Sequence, residues 1–266
     1  MTYNSFSKRL KQSAFALFIL WSSIGVAQGD LQQVLVETYY VSDAQDATTS
    51  VGGTLPEGSV TYRIFVTLCE GCALKAIYGD ANHPFNIEST ENFFNNDDRG
   101  KTWGHAIQDN RLNENTVALD SWLSFGGATD EDWGIPKPLD TDGSFVGGSN
   151  HEDGLLVNVT SEMGLALTEA DGLLTAAATE PGNFFVSGTD ASTIFGIETI
   201  GNAFSSTTFR AQADAFSIPE TGNTFCIAQL TTNGELSFNL NIEVLNADGN
   251  LVKYVSSNEL LLDGEV

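Results

Sequence analysis

Alternation with a period of two dominates the chain. In residues 234–246, Leu236, Phe238, Leu240, Ile242 and Val244 are apolar, and Glu235, Ser237, Asn239, Asn241 and Glu243 stand between them. Such a run predicts a strand with one face in a core and the other in water. Asn246-Ala247-Asp248-Gly249-Asn250 then predicts a turn and 251–255 a returning strand. Upstream, 225–231 runs into Thr232-Asn233-Gly234, a hairpin signal, so the stretch from 225 to 255 is expected to form a three-stranded meander. A second block alternates Val60, Tyr62, Ile64, Val66 and Leu68 with Thr61, Arg63, Phe65 and Thr67. Glu70-Gly71 interrupts it and 73–78 resumes, which predicts a hairpin with a two-residue loop in which Gly71 supplies a positive φ. Val117, Leu119, Ser121, Leu123 and Phe125 predict a further strand, and 31–41, 155–160 and 193–204 are weaker candidates. Beyond the first 29 residues no long amphipathic helix stands out. The pattern predicts an all-β fold, an antiparallel β-sandwich or barrel-like domain with long acidic, Gly-rich loops.

The first 29 residues follow a different pattern. Lys8, Arg9 and Lys11 form a positive end, residues 13–27 an apolar run, and Gly25, Ala27 and Gly29 offer small residues for cleavage. This reads as a secretory signal, too short in its apolar part for a comfortable membrane span. The expected organisation is a signal over 1–29 and one β-rich domain over 30–266, exported and without a transmembrane segment once mature. The signal also hides charge. The whole chain carries 35 acidic and 11 basic residues, a net charge of −24, and without the three basic residues of the signal the balance is 35 against 8, or −27. A field of that sign repels phosphate backbones and anionic lipid and attracts cations. Nucleic acid is therefore excluded as a partner. Expected partners are a cation, or a polysaccharide or other cell-surface component.

Charge concentrates in residues 126–154, which hold seven acidic residues, seven Gly, two Pro and one Lys. A stretch of this length without periodicity reads as a functional loop or a poorly ordered insertion. Within it, Asp140-Thr141-Asp142-Gly143 resembles half of a calcium loop, because alternating Asp residues let a turn wrap several oxygens round one ion. The full EF-hand pattern is absent, and the segment Thr129–Asp132 together with Asp153 offers the further oxygens. The calcium expectation thus names Asp130, Asp132, Asp140 and Asp142, against the alternative of an Asp-rich surface turn. Trp133, flanked by Asp130, Glu131 and Asp132, suits stacking on a sugar ring; the alternative is an indole folded inward to anchor the loop. The run Asn95-Asn96-Asp97-Asp98-Arg99-Gly100 is a second, weaker candidate calcium cluster of this kind.

Three cysteines are present. Cys69 and Cys72 flank the predicted two-residue loop, where paired Cα atoms lie about 5.5 Å apart, so a local disulfide leads over pairing of either with Cys226 or three free thiols. Catalytic signatures are sparse. No GxSxG or HExxH occurs, and His83, His105 and His151 are scattered and read as structural or exposed. Carboxylate pairs for glycoside hydrolysis meet in space and leave no sequence trace.

Five strings resemble one another's company in a group of secreted bacterial proteins of surface- and polymer-associated bacteria: residues 54–63 (TLPEGSVTYR), Phe93-Phe94-Asn95-Asn96, Asp98-Arg99-Gly100, Val117-Ala118-Leu119-Asp120-Ser121-Trp122, and Asp140-Thr141-Asp142-Gly143-Ser144. The resemblance spans roughly 31–255. It implies location and modular surface use, with no activity attached. The expected function is a secreted, non-catalytic binding or matrix/adhesion module, calcium-dependent and carbohydrate-binding in its fullest form. The alternatives are a polysaccharide-active hydrolase using loop carboxylates and a purely structural envelope protein.

Overall fold

The computed structural model describes residues 29–42, 44, 52–112, 116–136, 138, 181–213, 223–256 and 265, and the backbone of 173–175. The apolar part of the expected signal, the strand candidate at 155–160, and Asp140, Asp142 and Asp153 lie outside the described residues. Fourteen strands are described, in the order β1 (Leu31–Val41), β2 (Val60–Leu68), β3 (Ala73–Tyr78), β4 (Phe85–Ser89), β5 (Trp122–Leu123), β6 (Asp132–Gly134), β7 (Leu173–Thr175), β8 (Phe185–Ser187), β9 (Ala203–Ser206), β10 (Arg210–Gln212), β11 (Thr224–Thr232), β12 (Leu236–Asn239), β13 (Asn241–Leu245) and β14 (Leu251–Tyr254). They form four sheets: β1-β2-β11-β5, β14-β13-β3-β10-β8, β12-β4-β9 and β6-β7. All the pairings are antiparallel. The fold is an all-β, sandwich-like one and not a closed barrel, which removes the barrel alternative: the two largest sheets keep β1, β5, β8 and β14 as ends.

The two large sheets share a core. Ile64, Val66 and Leu68 of β2, with Phe225 and Leu230 of β11, join Leu74 and Ile77 of β3 and Ile242 and Val244 of β13 in one buried cluster. The first sheet is buried on its other face as well. There Phe65 and Cys226 pack with Tyr39, Leu55, Leu119 and Trp122. This is why Thr61 and Arg63, polar in the alternation, are nonetheless buried. The small β12-β4-β9 sheet is closed by Phe85, Phe204 and Phe209, whose rings lie 5.1–6.0 Å apart.

Both predicted hairpin systems are redrawn. The turn at Glu70-Gly71 forms, with Gly71 at φ 77° and Cys72 N donating to Cys69 O at 3.0 Å. Its flanking strands, however, enter different sheets: β2 pairs with β1 and β11, and β3 with β10 and β13. The turn crosses the sandwich, and the Cys69–Cys72 disulfide, Cα atoms 5.1 Å apart, closes that corner. The expected meander is also split. β11 belongs to the first sheet and β12 to the small sheet, and only β13 and β14 pair as a hairpin. The single strand expected over 234–246 breaks at Leu240, whose backbone is held from the side by Ser256: Leu240 N donates to Ser256 Oγ at 2.9 Å and Ser256 Oγ donates to Leu240 O at 2.7 Å. The strand expected around 117–125 is a single 3₁₀ turn, Val117–Leu119, followed by the two-residue β5. Val117, Ala118 and Leu119 are all buried, which a one-sided strand would not allow. In 193–204 a 3₁₀ turn and a loop precede β9.

Candidate functional site

The outer face of the second large sheet gathers ionisable groups. In its register Tyr78 stands opposite Asn241 and Arg210, and Ala76 opposite Glu243 and Gln212. Glu243 in turn faces Lys253. Residues directly opposite share a face, so Tyr78, Asn241, Glu243, Arg210, Gln212 and Lys253 line one side while Ile77, Ile242 and Ala211 line the core. A half-buried strand would leave that polar side wet. Here Tyr78, Asn241 and Glu243 are buried.

Two segments cover it. The first follows β3: Asp80 Oδ1 accepts from Asn82 N at 2.9 Å and His83 N at 2.8 Å, and Asp80 N donates to His83 O at 3.0 Å. Asp and Asn favour such turns because their side chains bond backbone amides close by. Asn241 Nδ2 fastens this turn to the sheet by donating to Tyr78 O (3.2 Å) and His83 O (2.9 Å). The second segment is residue 265, bridged in parallel to Lys253.

Together they bring Asp80, His83 and Glu265 to one point. The His83 side chain is 1 % exposed, with Nδ1 3.6 Å from Asp80 Oδ1 and 3.5 Å from Glu265 Oε1. The ligand-type atoms of the three all lie within 4.8 Å of one another. Around them, Arg210 holds Glu243 with both terminal nitrogens, NH1 to Oε1 at 3.1 Å and a closer NH2 contact to Oε2. Lys253 Nζ sits 5.3 Å from the Tyr78 ring centre and the Arg210 guanidinium 5.9 Å, both within cation–π range. Burial, reinforced by Asp80, Glu265 and Glu243, pushes the Tyr78 phenol well above its ordinary pKa, and Arg210 offsets part of this. The Tyr78 hydroxyl is buried with no hydrogen-bond partner among the described residues. Chemically, two carboxylates and an imidazole can hold a cation; the phenol is kept neutral and is no nucleophile at ordinary pH.

The residues expected from sequence sit elsewhere. Asp130, Asp132 and Trp133 open the stretch read as an irregular loop, but 126–134 is a tight turn running into β6, which pairs with β7. Thr129 Oγ1 accepts from Asp132 N and donates to Asp132 Oδ2, both at 2.8 Å. Burial raises the Asp132 carboxyl to a pKa of about 6 against the pull of the Thr129 hydroxyl. The exposed Asp130 instead accepts from Asp109 N at 3.0 Å, so the two carboxylates turn to different partners. Trp133 is 4 % exposed, its ring so close over Gly126 that a Cβ there would lie 2.5 Å from it. The inward alternative describes Trp133, and a buried indole offers no face to a sugar. Cys69 and Cys72 are paired as expected, and Cys226 is a buried free thiol whose pKa burial pushes up to about 12. The grouping of Asp30 with Cys69 and Cys72 is no metal site, because both sulfurs are spent in the disulfide.

Three of the resemblance strings also meet. Asp120 Oδ1 accepts from Asn96 N and Oδ2 from Lys101 N, each at 2.8 Å. Gln229 Nε2 donates to Ala118 O and Asp120 O at 2.9 and 2.8 Å, while its Oε1 accepts from Arg63 Nε at 2.9 Å. The side chains of Arg63, Asn96, Asp120 and Gln229 in this knot are buried, and it joins residues 63, 96 and 120 across the first sheet. The sequence carries little sign of the Asp80–His83–Glu265 cluster: His83 reads as structural or exposed, and the contact of Glu265 with a residue 182 positions away leaves no local signal. The only available trace was Asp80-Ala81-Asn82-His83-Pro84, a turn with an Asp at its start and a His near its end. A scan against protein-family models gave no match, and searches of curated proteins and of solved structures gave no significant one.

Proposed function

We propose that this protein is an exported β-sheet module that binds, and does not catalyse, as part of a surface or matrix assembly. The observation that carries this reading is how the scaffold uses its buried polar groups. Asp120, Arg63, Gln229 and Asn96 bond to backbone and to one another in the knot that anchors the loops over the first sheet, and Asp132 is turned to Thr129. Carboxylates tuned by burial toward neutral pKa values are the usual raw material of acid–base catalysis, yet these two are buried as loop anchors. Rigid sheets carrying long, internally anchored loops suit recognition. The Cys69–Cys72 bridge supports an oxidising compartment, in keeping with the signal-like N-terminus and the resemblance to secreted bacterial proteins. Calcium enters this reading through Asp140 and Asp142, with the exposed Asp130 as a further oxygen.

Co-sedimentation of the purified protein with insoluble polysaccharides, with and without calcium, tests it alongside a reducing-sugar assay on the same samples. Retention of the protein without release of reducing ends is expected, weakened by the double substitution Asp140→Asn/Asp142→Asn. Release of reducing ends would establish a hydrolase and end the non-catalytic reading.

A further inference from the structure

We propose that Asp80, His83 and Glu265 form a binding site for a zinc-class divalent transition-metal ion, at the covered outer face of the β14-β13-β3-β10-β8 sheet. The distances carry the inference. His83 Nδ1 stands 3.6 Å from Asp80 Oδ1 and 3.5 Å from Glu265 Oε1. These are longer than N–H···O hydrogen bonds, which lie at about 2.7–3.2 Å. Two atoms bound to one tetrahedral ion at about 2.0–2.1 Å are separated by about 3.3–3.4 Å, close to both observed values. Three protein ligands leave a fourth position for water, the arrangement of open zinc sites.

The donor set selects the ion. Calcium takes six to eight oxygens, and an imidazole nitrogen at the centre of the cluster argues against it. One nitrogen with two carboxylate oxygens suits zinc and its neighbours in the first transition row. The site is also prepared for a cation. Two backbone amides on Oδ1 orient the Asp80 carboxylate and leave the lone pairs of its other oxygen, Oδ2, for an ion. Arg210 is bound to Glu243 and Gln212. Glu265 has only 2 % of its side chain exposed, so an ion there would be shielded from bulk water.

A second, independent observation points to a ligand. Tyr78 is 3 % exposed, and its hydroxyl has no hydrogen-bond partner among the described residues. Buried hydroxyls are almost always bonded, and an exception asks for an ordered group that is not protein. The Tyr78 ring centre lies 5.3 Å from Lys253 Nζ, and Lys253 is bridged to Glu265, so that group belongs beside the same cluster. A water completing the shell of a bound ion is of the right kind. The inference does not depend on the binding role proposed above.

The test uses the purified protein after treatment with a chelator, titrated with zinc chloride by calorimetry at about 0.15 M salt, where exposed charge is screened beyond about 8 Å. One equivalent should bind and raise the melting temperature. Glu265→Gln and His83→Asn should each weaken that binding by roughly tenfold or more, the scale on which disturbing a metal shell acts. Asp130→Asn should titrate like the parent. His83 is buried, so circular dichroism must show that its variant folds; if it does not, Glu265→Gln decides alone. No saturable binding, or binding that both variants keep and added salt removes, would overturn the site and leave only diffuse attraction to an acidic surface.

Discussion

Asp120 accepts one backbone amide on each carboxylate oxygen, and both bonds favour the anion. Its burial is complete, however, and removal from water outweighs those bonds and the nearby Lys101, raising the pKa to about 7. The folded state therefore holds a proton that the unfolded chain, with a carboxyl pKa of about 3.9, has already released. For a group whose folded pKa is raised, the stabilisation is full below the unfolded pKa and lost as pH rises through the folded one. Asp120→Asn tests this. The protonated acid can turn its O–H away and keep an acceptor pair toward each amide, whereas the Asn amide aims an N–H at one of them. Leaving one buried donor unmet costs about 1–3 kcal/mol. Chemical denaturation of the variant should show a loss of that size near pH 4, below which both states are protonated, shrinking as the pH rises toward about 7 and level above it. A loss that grows with pH would mean that the anion is the stabilised form.

At the scale of elements, the Cys69–Cys72 bridge joins residues three apart in sequence, where the chain leaves one large sheet for the other. Constraining so short a loop removes little entropy from the unfolded chain, about 2 kcal/mol at most on a loop-closure estimate. The turn is also held by Asn223, whose Nδ2 donates to Cys69 O and Cys72 O at 2.6 and 2.8 Å. Cys69→Ser/Cys72→Ser should therefore fold and lose no more than about 2 kcal/mol, whereas Asn223→Ala should leave two carbonyls short of a donor and cost a comparable amount. Urea melts of both variants compare them directly; collapse of the Cys variant alone would make the bridge indispensable. The same corner shows what the sequence conveyed. Extended backbone over 60–68, 73–78, 236–239 and 241–245 was legible, though not the break between the last two, because period two survives whichever partner a strand finds. Partner choice was not: a turn that joins two strands of one sheet and a turn that crosses between sheets use the same Glu70-Gly71. The candidate site was illegible for the same reason. Asn241 and Glu243 read as solvent-facing, and what buries them is the turn at Asp80 and the distant Glu265, tied by contacts that leave no periodicity.

The whole molecule combines a net charge of −24 with two buried carboxyls whose pKa values lie at about 7 and about 6, Asp120 and Asp132. Both facts push in one direction. As pH falls from 8 toward 5, the folded state takes up protons at Asp120 and Asp132 before the unfolded chain does, and the repulsion among 35 acidic residues begins to ease. His105 opposes them. Burial lowers its pKa, so its contribution is present above the ordinary imidazole value and is lost as the pH falls through it. Two raised carboxyls and the net charge outweigh one partly exposed imidazole. The melting temperature should therefore rise as the pH is lowered from 8 to about 5.5, contrary to the habit of proteins whose carboxylates are held ionised by salt bridges. Salt separates the two causes. Adding about 1 M sodium chloride shortens the screening length to about 3 Å, which should raise the melting temperature at pH 8 by relieving surface repulsion and leave the buried Asp120 and Asp132 terms in place. A slope with pH that persists in high salt, and that flattens in Asp120→Asn, assigns it to the buried carboxyls. A slope that salt abolishes in the parent protein assigns it to net charge, and a melting temperature that falls on acidification would refute both.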